Sequence, residues 1–329
     1  MSSPSCSRRD FLASLAASVV LPHVVGVRAG PPTLAERLGY ARDTRLLILH
    51  ADDLGLLHSV NVAGMTAFQT GVINSGSIMV PCPWFPEFAD FAKSNPALDL
   101  GLHLTLTCER PSYRWGPVLG PSAVPSLVDA DGFFPVAWPV DRQVNLGEVE
   151  AEIRAQIARA RHFGVEPTHL DSHEHYLQQS GRPVFDVLLR VAGEMRLPVR
   201  VGRNWFLHYP YLETALGPNG IALDRTITIP TETTPDQWIP WYQYTIRALP
   251  AGVTEIFVHV GYDDGELRAY APARLNYGAT WRQRDLDAMT SAEVRDALTA
   301  GNVKLITWRE IGRLLRNEPG ASRDTTAHR

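Results

Sequence analysis

Short apolar runs alternate with longer amphipathic stretches along the chain from Thr44 onward. The apolar runs are rich in Leu, Ile and Val and have the length of buried strands, whereas the amphipathic stretches place apolar residues at helical spacing. The pattern predicts strands at residues 45–50, 75–80, 98–106, 168–172, 198–203, 254–259 and 304–307. It predicts helices at residues 61–70, 85–93, 148–163, 184–194, 293–300 and 309–315. This alternation is typical of an α/β protein whose parallel sheet is covered by helices.

One continuous domain accounts for this pattern, because no Ser/Gly-rich linker or run of charge divides residues 44–316. We therefore predict a single distorted (β/α) barrel of the TIM-like type, with about seven parallel strands. A Pro- and Gly-rich excursion at residues 111–146 is longer than most loops, which favours a lid or a site-forming insertion. Residues 30–43 are interpreted as an N-terminal linker and residues 317–329 as a disordered tail.

The N-terminal segment, residues 1–29, has the pattern of an export signal. Arg8 and Arg9 precede an apolar run at residues 11–21, and small residues follow near Ala29. This resembles a twin-arginine signal, so we expect an exported protein, periplasmic or extracellular, that uses the twin-arginine export machinery. The apolar run is shorter than the roughly 20 residues of a membrane-spanning helix, so no stable membrane anchor is predicted.

Composition narrows the possible partners and the kind of metal site. The chain has 31 Lys and Arg against 35 Asp and Glu, a net charge of −4, and no long basic run, which disfavours nucleic acid as a partner. The three cysteines, Cys6, Cys82 and Cys108, lack the spacing of a CxxC-type zinc site, and we predict no disulfide. Any metal site must therefore use His and carboxylate ligands. A homodimer is left open.

Histidine and acidic residues cluster where four of the predicted strands end, in the runs 50–55, 101–106, 168–175 and 255–261. Burying unpaired polar groups costs on the order of 1–3 kcal/mol each, so such clusters indicate that these side chains have a functional role. Because the carboxyl ends of barrel strands face one rim, the clusters are expected to converge there. The residues concerned are Asp52, Asp53, His103, Asp171, His173, His175 and His259.

Each cluster also has a structural explanation when taken alone. His103 or His259 can be a residue at the rim whose hydrogen bonds are satisfied within the protein, and Asp52 with Asp53 can cap the following helix. Together, however, the clusters favour a metal site. One Asp can bind the metal while its neighbour contacts an activated water, and one Asp with two His leaves open coordination positions. With a His to protonate the leaving group, this set of residue types indicates metal-assisted hydrolysis.

Three motifs resemble those of the YdjC family of carbohydrate deacetylases, which includes chitooligosaccharide deacetylase. The matching segments are 50–55 (HADDLG), 101–105 (GLHLT) and 168–173 (THLDSH), and further matches extend the resemblance over residues 44–316. The resemblance implies a distorted barrel and one divalent metal ion, Mg or Zn. The residues that it assigns are Asp53, His103 and His173 as metal ligands, Asp52 as catalytic base and, by position, His259 as acid.

The chain departs from the family pattern at Val260, where Pro is usual, and at Leu177, where a further His is usual. Arg200 and Arg203 can orient a catalytic carboxylate, bind substrate or form a surface ion pair.

Asp171 and His175 are further candidates for contact with substrate. We expect removal of acetyl groups from N-acetylated sugars or oligosaccharides, with an acetylated amino sugar as substrate. One alternative is a metal-dependent esterase or phosphoesterase on the same rim, for which Asp171 and His175 can supply ligands to a second metal. The other is an exported carbohydrate-binding protein without catalysis.

Overall fold

Seven parallel strands form one curled sheet in the part of the chain that this computed structural model describes, residues 31–136, 143–218, 220–272, 276–316 and 318. The strands are β1 (Arg45–Leu54), β2 (Ser75–Ile78), β3 (Leu100–Leu104), β4 (Leu170–Ser172), β5 (Arg225–Ile227), β6 (Gly252–Val258) and β7 (Val303–Leu305). Their order is β4-β3-β2-β1-β6-β5, and β7 pairs with the first residues of β1. The predicted α/β architecture with a curled parallel sheet, a distorted barrel, is confirmed.

Helices follow most of the strands and pack around the sheet. Among the described residues they are α1 (Leu34–Arg37), α2 (His58–Thr70), α3 (Phe85–Ser94), α4 (Leu146–His162), α5 (Tyr176–Gln179), α6 (Arg182–Met195), α7 (Tyr211–Leu216), α8 (Trp238–Arg247), α9 (Gly265–Tyr270), α10 (Ala279–Thr290), α11 (Ala292–Ala300) and α12 (Trp308–Arg316). Short 3-10 turns occur at Pro125–Leu127, His173–His175, Arg203–Leu207 and Pro235–Gln237. None of the described helices has the length and apolarity needed to cross a membrane.

The chain divides into an N-terminal segment, residues 1–32, and a compact unit, residues 33–329. The predicted signal at residues 1–29 and, apart from Glu318, the predicted tail lie outside the described residues. Within the predicted linker, α1 begins at a capping box in which Thr33 and Glu36 satisfy each other's backbone N–H groups. Leu34 of this helix is buried against Leu46 of β1, so this part of the linker belongs to the folded unit.

Of the predicted strands, the one at residues 198–203 does not form a strand in the structure. Only single bridges occur there, between Leu170 and Val199 and between Gly202 and Leu223, and a 3-10 turn follows. These bridges still continue the pairing from β4 toward β5. The short strand β5 was not predicted, because three residues give too little alternation to stand out from the flanking Thr and Pro residues.

The interior face of β1 changes from apolar to polar along its length. Side chains alternate across a strand, so Leu46, Ile48, His50 and Asp52 share one face. Leu46 and Ile48 pack in a buried cluster with Trp308 of α12, while the polar pair follows toward the carboxyl end. The barrel is therefore filled by apolar side chains near the start of β1 and by ionisable ones at its end.

The excursion at residues 111–146 packs against the barrel over its described part. Trp115, Leu127 and Phe134 are buried, and the indole N–H of Trp115 donates to the carbonyl of Thr107 at 2.8 Å. The Trp115 ring lies edge-on to the ring of His173, with centroids 6.2 Å apart. The described residues of this insertion therefore form part of the wall beside a predicted site residue.

The turn after β1 depends on Gly55. Its φ is +90°, and a Cβ added there would lie 3.2 Å from both Phe85 Cα and Ile78 Cγ1. Gly39 is a matched control, because its φ is +85° and a Cβ there would meet no atom within 4 Å.

Both Gly→Ala variants share the cost of a left-handed backbone, and only Gly55→Ala adds the steric clash. We expect Gly55→Ala to lower the free energy of unfolding by about 1–3 kcal/mol more than Gly39→Ala does. Urea unfolding of the two variants would measure the difference. Equal losses would mean that the turn relaxes around the new methyl group.

Candidate active site

A break in β1 brings two neighbouring carboxylates into one cleft. β1 pairs in register with β2 at His50 and Ala51, and the register shifts before Leu54. Asp53 has a φ of +65°, in the left-handed region that non-glycine residues seldom occupy. A regular strand would point Asp52 and Asp53 to opposite faces, whereas here both line the same cleft. The strained backbone at Asp53 therefore lets adjacent residues serve one site.

Asp53, His103 and His173 form a buried cluster that fits a metal ion. Oδ1 of Asp53 lies 3.3 Å from Nε2 of His103 and 3.2 Å from Nδ1 of His173. This oxygen is buried without a hydrogen-bond partner, although an unpaired carboxylate oxygen is costly to bury. One carboxylate and two imidazoles leave coordination positions open, as in a catalytic site. The three predicted ligands are thus brought together with suitable atoms facing one another.

Neighbouring residues fix the orientation of two of these ligands. Nδ1 of His103 lies 2.8 Å from Oδ1 of Asp171, and since a carboxylate accepts, Nδ1 carries a proton and the ring directs Nε2 toward the cluster. Burial disfavours the charged ring of His103, but Asp171 and Asp52 raise its pKa to about 10, so a metal ion that binds Nε2 would displace a proton from it. Arg282 donates to Oδ2 of Asp53 at 2.6 Å, which leaves Oδ1 for a metal.

Asp52 is held by Arg200 through two hydrogen bonds, of 2.7 Å to Oδ1 and 3.0 Å to Oδ2. Burial opposes the charge on Asp52, but Arg200 and His103 hold the pKa of this carboxyl well below its ordinary value. Arg200 also lies 3.1 Å from Asp171 and is almost completely buried. Arg200 is therefore placed to orient Asp52, the first of the roles predicted for it, and the catalytic role of Asp52 stays a prediction.

His259 follows the last residue of β6 and faces both carboxylates. Its Nε2 lies 4.0 Å from Oδ2 of Asp52 and 3.9 Å from Oδ2 of Asp53. Burial lowers the pKa of His259 to about 4, against the opposing effect of the two carboxylates. Its backbone N–H donates to Asp285 at 3.0 Å, and its ring lies edge-on to Tyr277. The predicted acid therefore lies across the cleft from the predicted base.

The cleft has a volume of about 300 Å³ and holds most of the predicted site residues. His175 lines it, with its ring against Trp205, and burial lowers the pKa of His175 to about 4. Arg200 also lines the cleft, whereas Asp171 is fully buried beneath His103, and Arg203 is exposed beside a separate cavity. Contact of these four residues with substrate stays a prediction.

Comparison with known proteins identifies the family. The family model described as YdjC-like protein matches residues 46–300. The chain belongs to the YdjC-like family. This confirms the resemblance carried by the three sequence motifs.

Two relatives and one solved structure resemble this chain over different lengths. A carbohydrate deacetylase of Geobacillus stearothermophilus is 31% identical over 278 residues, which cover 82% of this chain and 99% of the relative. A chitooligosaccharide deacetylase of Yersinia enterocolitica is 35% identical over 167 residues, or 49% of this chain and 60% of the relative. The crystal structure of a proposed cellobiose-phosphate cleavage protein of Enterococcus faecalis V583 has a TM-score of 0.69 and 27% identity, covering 82% of this chain and 99% of that one.

Two functional residues of this YdjC-like site were missed from the sequence, Arg282 and Asp285. Both lie on α10 and are fully buried, Arg282 against Asp53 and Asp285 beneath His259. The sequence signal was weak, because this charged pair lies in a mostly polar segment, residues 282–287 (RQRDLD), with Trp281 and Leu286 as its large apolar neighbours. Residues three apart share a helix face, so such a pair on a buried face indicates partners from elsewhere in the chain.

The cluster predicts one divalent metal ion per chain. His103→Ala removes a ligand and should abolish the high-affinity site, while Asp171→Asn should weaken Zn²⁺ binding about 10- to 100-fold, because it loosens the orientation of His103. Isothermal titration calorimetry on metal-stripped protein measures both affinity and stoichiometry. Arg203→Ala is the control and should bind like wild type. Undiminished affinity in His103→Ala would contradict the assignment.

Proposed function

We propose that this YdjC-like protein is an exported, metal-dependent deacetylase that removes acetyl groups from N-acetylated amino sugars. The observation that carries the proposal is the division between two adjacent carboxylates. Asp53 directs an unpaired oxygen at His103 and His173, and Asp52 keeps Oδ2 toward the cleft and His259. Hydrolysis of an amide needs both a metal-binding group and a free base, and this pair supplies them.

Each residue of the site has a separate role in the reaction. Asp53, His103 and His173 would hold a divalent ion, which when bound would supply Lewis-acid polarisation of the acetyl carbonyl and activation of water. Asp52 removes a proton from the attacking water, so that a C–O bond forms at the acetyl carbon. His259, which is neutral at rest because burial lowers its pKa to about 4, receives this proton from Asp52 and gives it to the departing nitrogen as the C–N bond breaks, and acetate and an amine are released.

Zinc is the ion that the donor set favours. Two imidazole nitrogens and one carboxylate oxygen are ligands typical of Zn²⁺, whereas Mg²⁺ prefers oxygen ligands and bound water. The amino-sugar substrate is supported by the relatives, one of which carries the name chitooligosaccharide deacetylase. Tyr277 and Phe257 line the cleft beside His259 and give it apolar surface for a sugar ring.

A two-metal phosphoesterase has less support from this arrangement. Asp171, a proposed ligand for a second metal, accepts hydrogen bonds from His103 and Ser77 and lies beside the cationic Arg200. Among the described residues, Asp171 belongs to two further groups that could hold a metal, one with His50 and His169 and one with Asp52 and His103, but His175 belongs to none. A positive guanidinium beside Asp171 competes with any second cation, which favours one metal ion for each chain.

Zn²⁺-loaded protein lacking residues 1–29 should release acetate from N-acetylated chitooligosaccharides. Asp52→Asn should lower kcat about 10²- to 10⁴-fold, because the base is lost, while the protein still binds one metal ion. Asp236→Asn makes the same chemical change on an exposed turn and should be unaffected. Acetate assays and metal analysis on the three proteins test this.

If wild-type protein with its metal bound releases no acetate, the deacetylase proposal is wrong. Phosphate release from phosphorylated sugars, or hydrolysis of acetyl esters, would favour the esterase alternatives instead. Sugar binding of equal strength in wild type and Asp52→Asn, without turnover in either, would favour a non-catalytic binding protein.

Export is proposed from the N-terminal sequence, residues 1–29. The paired arginines, Arg8 and Arg9, should be needed for the twin-arginine route, so that replacing both with Lys leaves unprocessed protein in the cytoplasm. Cell fractionation of wild type and variant measures this, with Arg37→Lys as a control outside the segment. Equal export of the double variant would argue against this route.

A further inference from the structure

Two buried histidines lie on the interior side of Asp52, outside the cleft. His50 precedes Asp52 by two residues on β1, and His169 lies just before β4; both side chains are fully buried. Nδ1 of His50 is 2.8 Å from Oδ1 of Asp52, and its Nε2 is 2.9 Å from Nε2 of His169. Nδ1 of His169 is 3.0 Å from the hydroxyl of Thr168. A continuous chain of hydrogen bonds thus runs from Asp52 into the protein interior.

The direction of this chain follows from its carboxylate end. A carboxylate only accepts, so Nδ1 of His50 carries a proton and donates to Asp52. Nε2 of His50 then accepts from Nε2 of His169, and Nδ1 of His169 accepts from the hydroxyl of Thr168. Every ring nitrogen has a hydrogen-bond partner in this arrangement.

The surroundings of His169 form a slot for a planar ring. Trp308 stacks on it with centroids 5.0 Å apart and an interplanar angle of 19°. On β3, a Cβ added at Gly101 would lie 2.4 Å from Cε1 of His169, so only glycine leaves room for the imidazole. Leu46 and Ile48 occupy the preceding positions on the same face of β1. An apolar side chain would suit this interior, so the histidine pair needs another explanation.

The chain of hydrogen bonds makes the two oxygens of Asp52 unequal. Oδ1 accepts from both His50 and Arg200, whereas Oδ2 accepts from Arg200 alone and faces His259 across the cleft. We propose that His50, held in turn by His169, is a positioning residue that anchors Oδ1 of Asp52 and leaves Oδ2 as the oxygen that acts as base. This rests on the proposed function, in which Asp52 takes a proton from water.

Two substitutions at His50 separate its two hydrogen bonds. The amide of Asn reaches the place of Nδ1, so His50→Asn keeps a donor for Asp52 and loses the link to His169. The amide of Gln reaches the place of Nε2, so His50→Gln keeps the link to His169 and loses the bond to Asp52. Because the bond to Asp52 is charge-assisted, its loss should cost more than loss of the neutral link.

We expect His50→Gln to lower kcat about 10- to 100-fold, with KM and Zn²⁺ stoichiometry unchanged, and His50→Asn to stay within about threefold of wild type. Acetate-release kinetics and metal analysis measure these values. Ile48→Val, on the same face of β1, controls for core disturbance and should keep full kcat. Equal loss in the Asn and Gln variants, or a loss confined to KM, would overturn the positioning role.

A second readout does not depend on turnover. In protein labelled with ¹⁵N-histidine, the Nδ1 proton of His50 should give a low-field NMR signal that is present in wild type and Ile48→Val and absent in His50→Gln. Asp52→Leu should shift this signal strongly, because its acceptor is removed. If wild type releases no acetate, the proposed function fails, while the signal still decides whether His50 holds Asp52. An Nδ1 of His50 without a proton would overturn the inference.

Discussion

Two adjacent carboxylates are buried at the end of β1, and the side chains around them offset the free-energy cost of burying their charges. Asp52 and Asp53 are 3% and 2% exposed. A buried charge is tolerated only when paired and hydrogen-bonded, and here each carboxylate has its own arginine, Arg200 for Asp52 and Arg282 for Asp53. Asp171 adds a third carboxylate beside Arg200. The surrounding charges therefore favour a further positive charge, which a metal ion held beside Asp53 would supply.

The same strand carries both the core and the chemistry. Leu46 and Ile48 bury apolar surface where α1 and α12 pack, and His50 and Asp52 continue that face to the rim. A rigid strand anchored by packing holds a functional side chain more firmly than a free loop can. Of the six described non-glycine residues with positive φ, Asp53, Glu174 and His175 lie at the end of β1 and in the turn after β4, and Tyr277 also lines the cleft.

Much of the fold follows from local pattern. The apolar runs marked the strands except the short β5, and the clusters at strand ends indicated that His103, His173 and Asp53 converge. Family resemblance then assigned their roles, and the structure brings their ligand atoms together. The segment at residues 198–203 was too irregular to form the predicted strand, because Gly202 and the turn that follows it break the pairing.

The sequence by itself determined the α/β alternation, the strands other than β5, the family, and which polar residues lie at the rim, because these depend on short-range periodicity and motif spacing. Only the tertiary structure decided which cation meets which carboxylate. Arg282 reaches Asp53 from 229 residues away in the chain, and Arg200 reaches Asp52 from 148 residues away. Such pairs depend on how the curled sheet and its helices pack, and no local sequence pattern indicates a contact over such a separation.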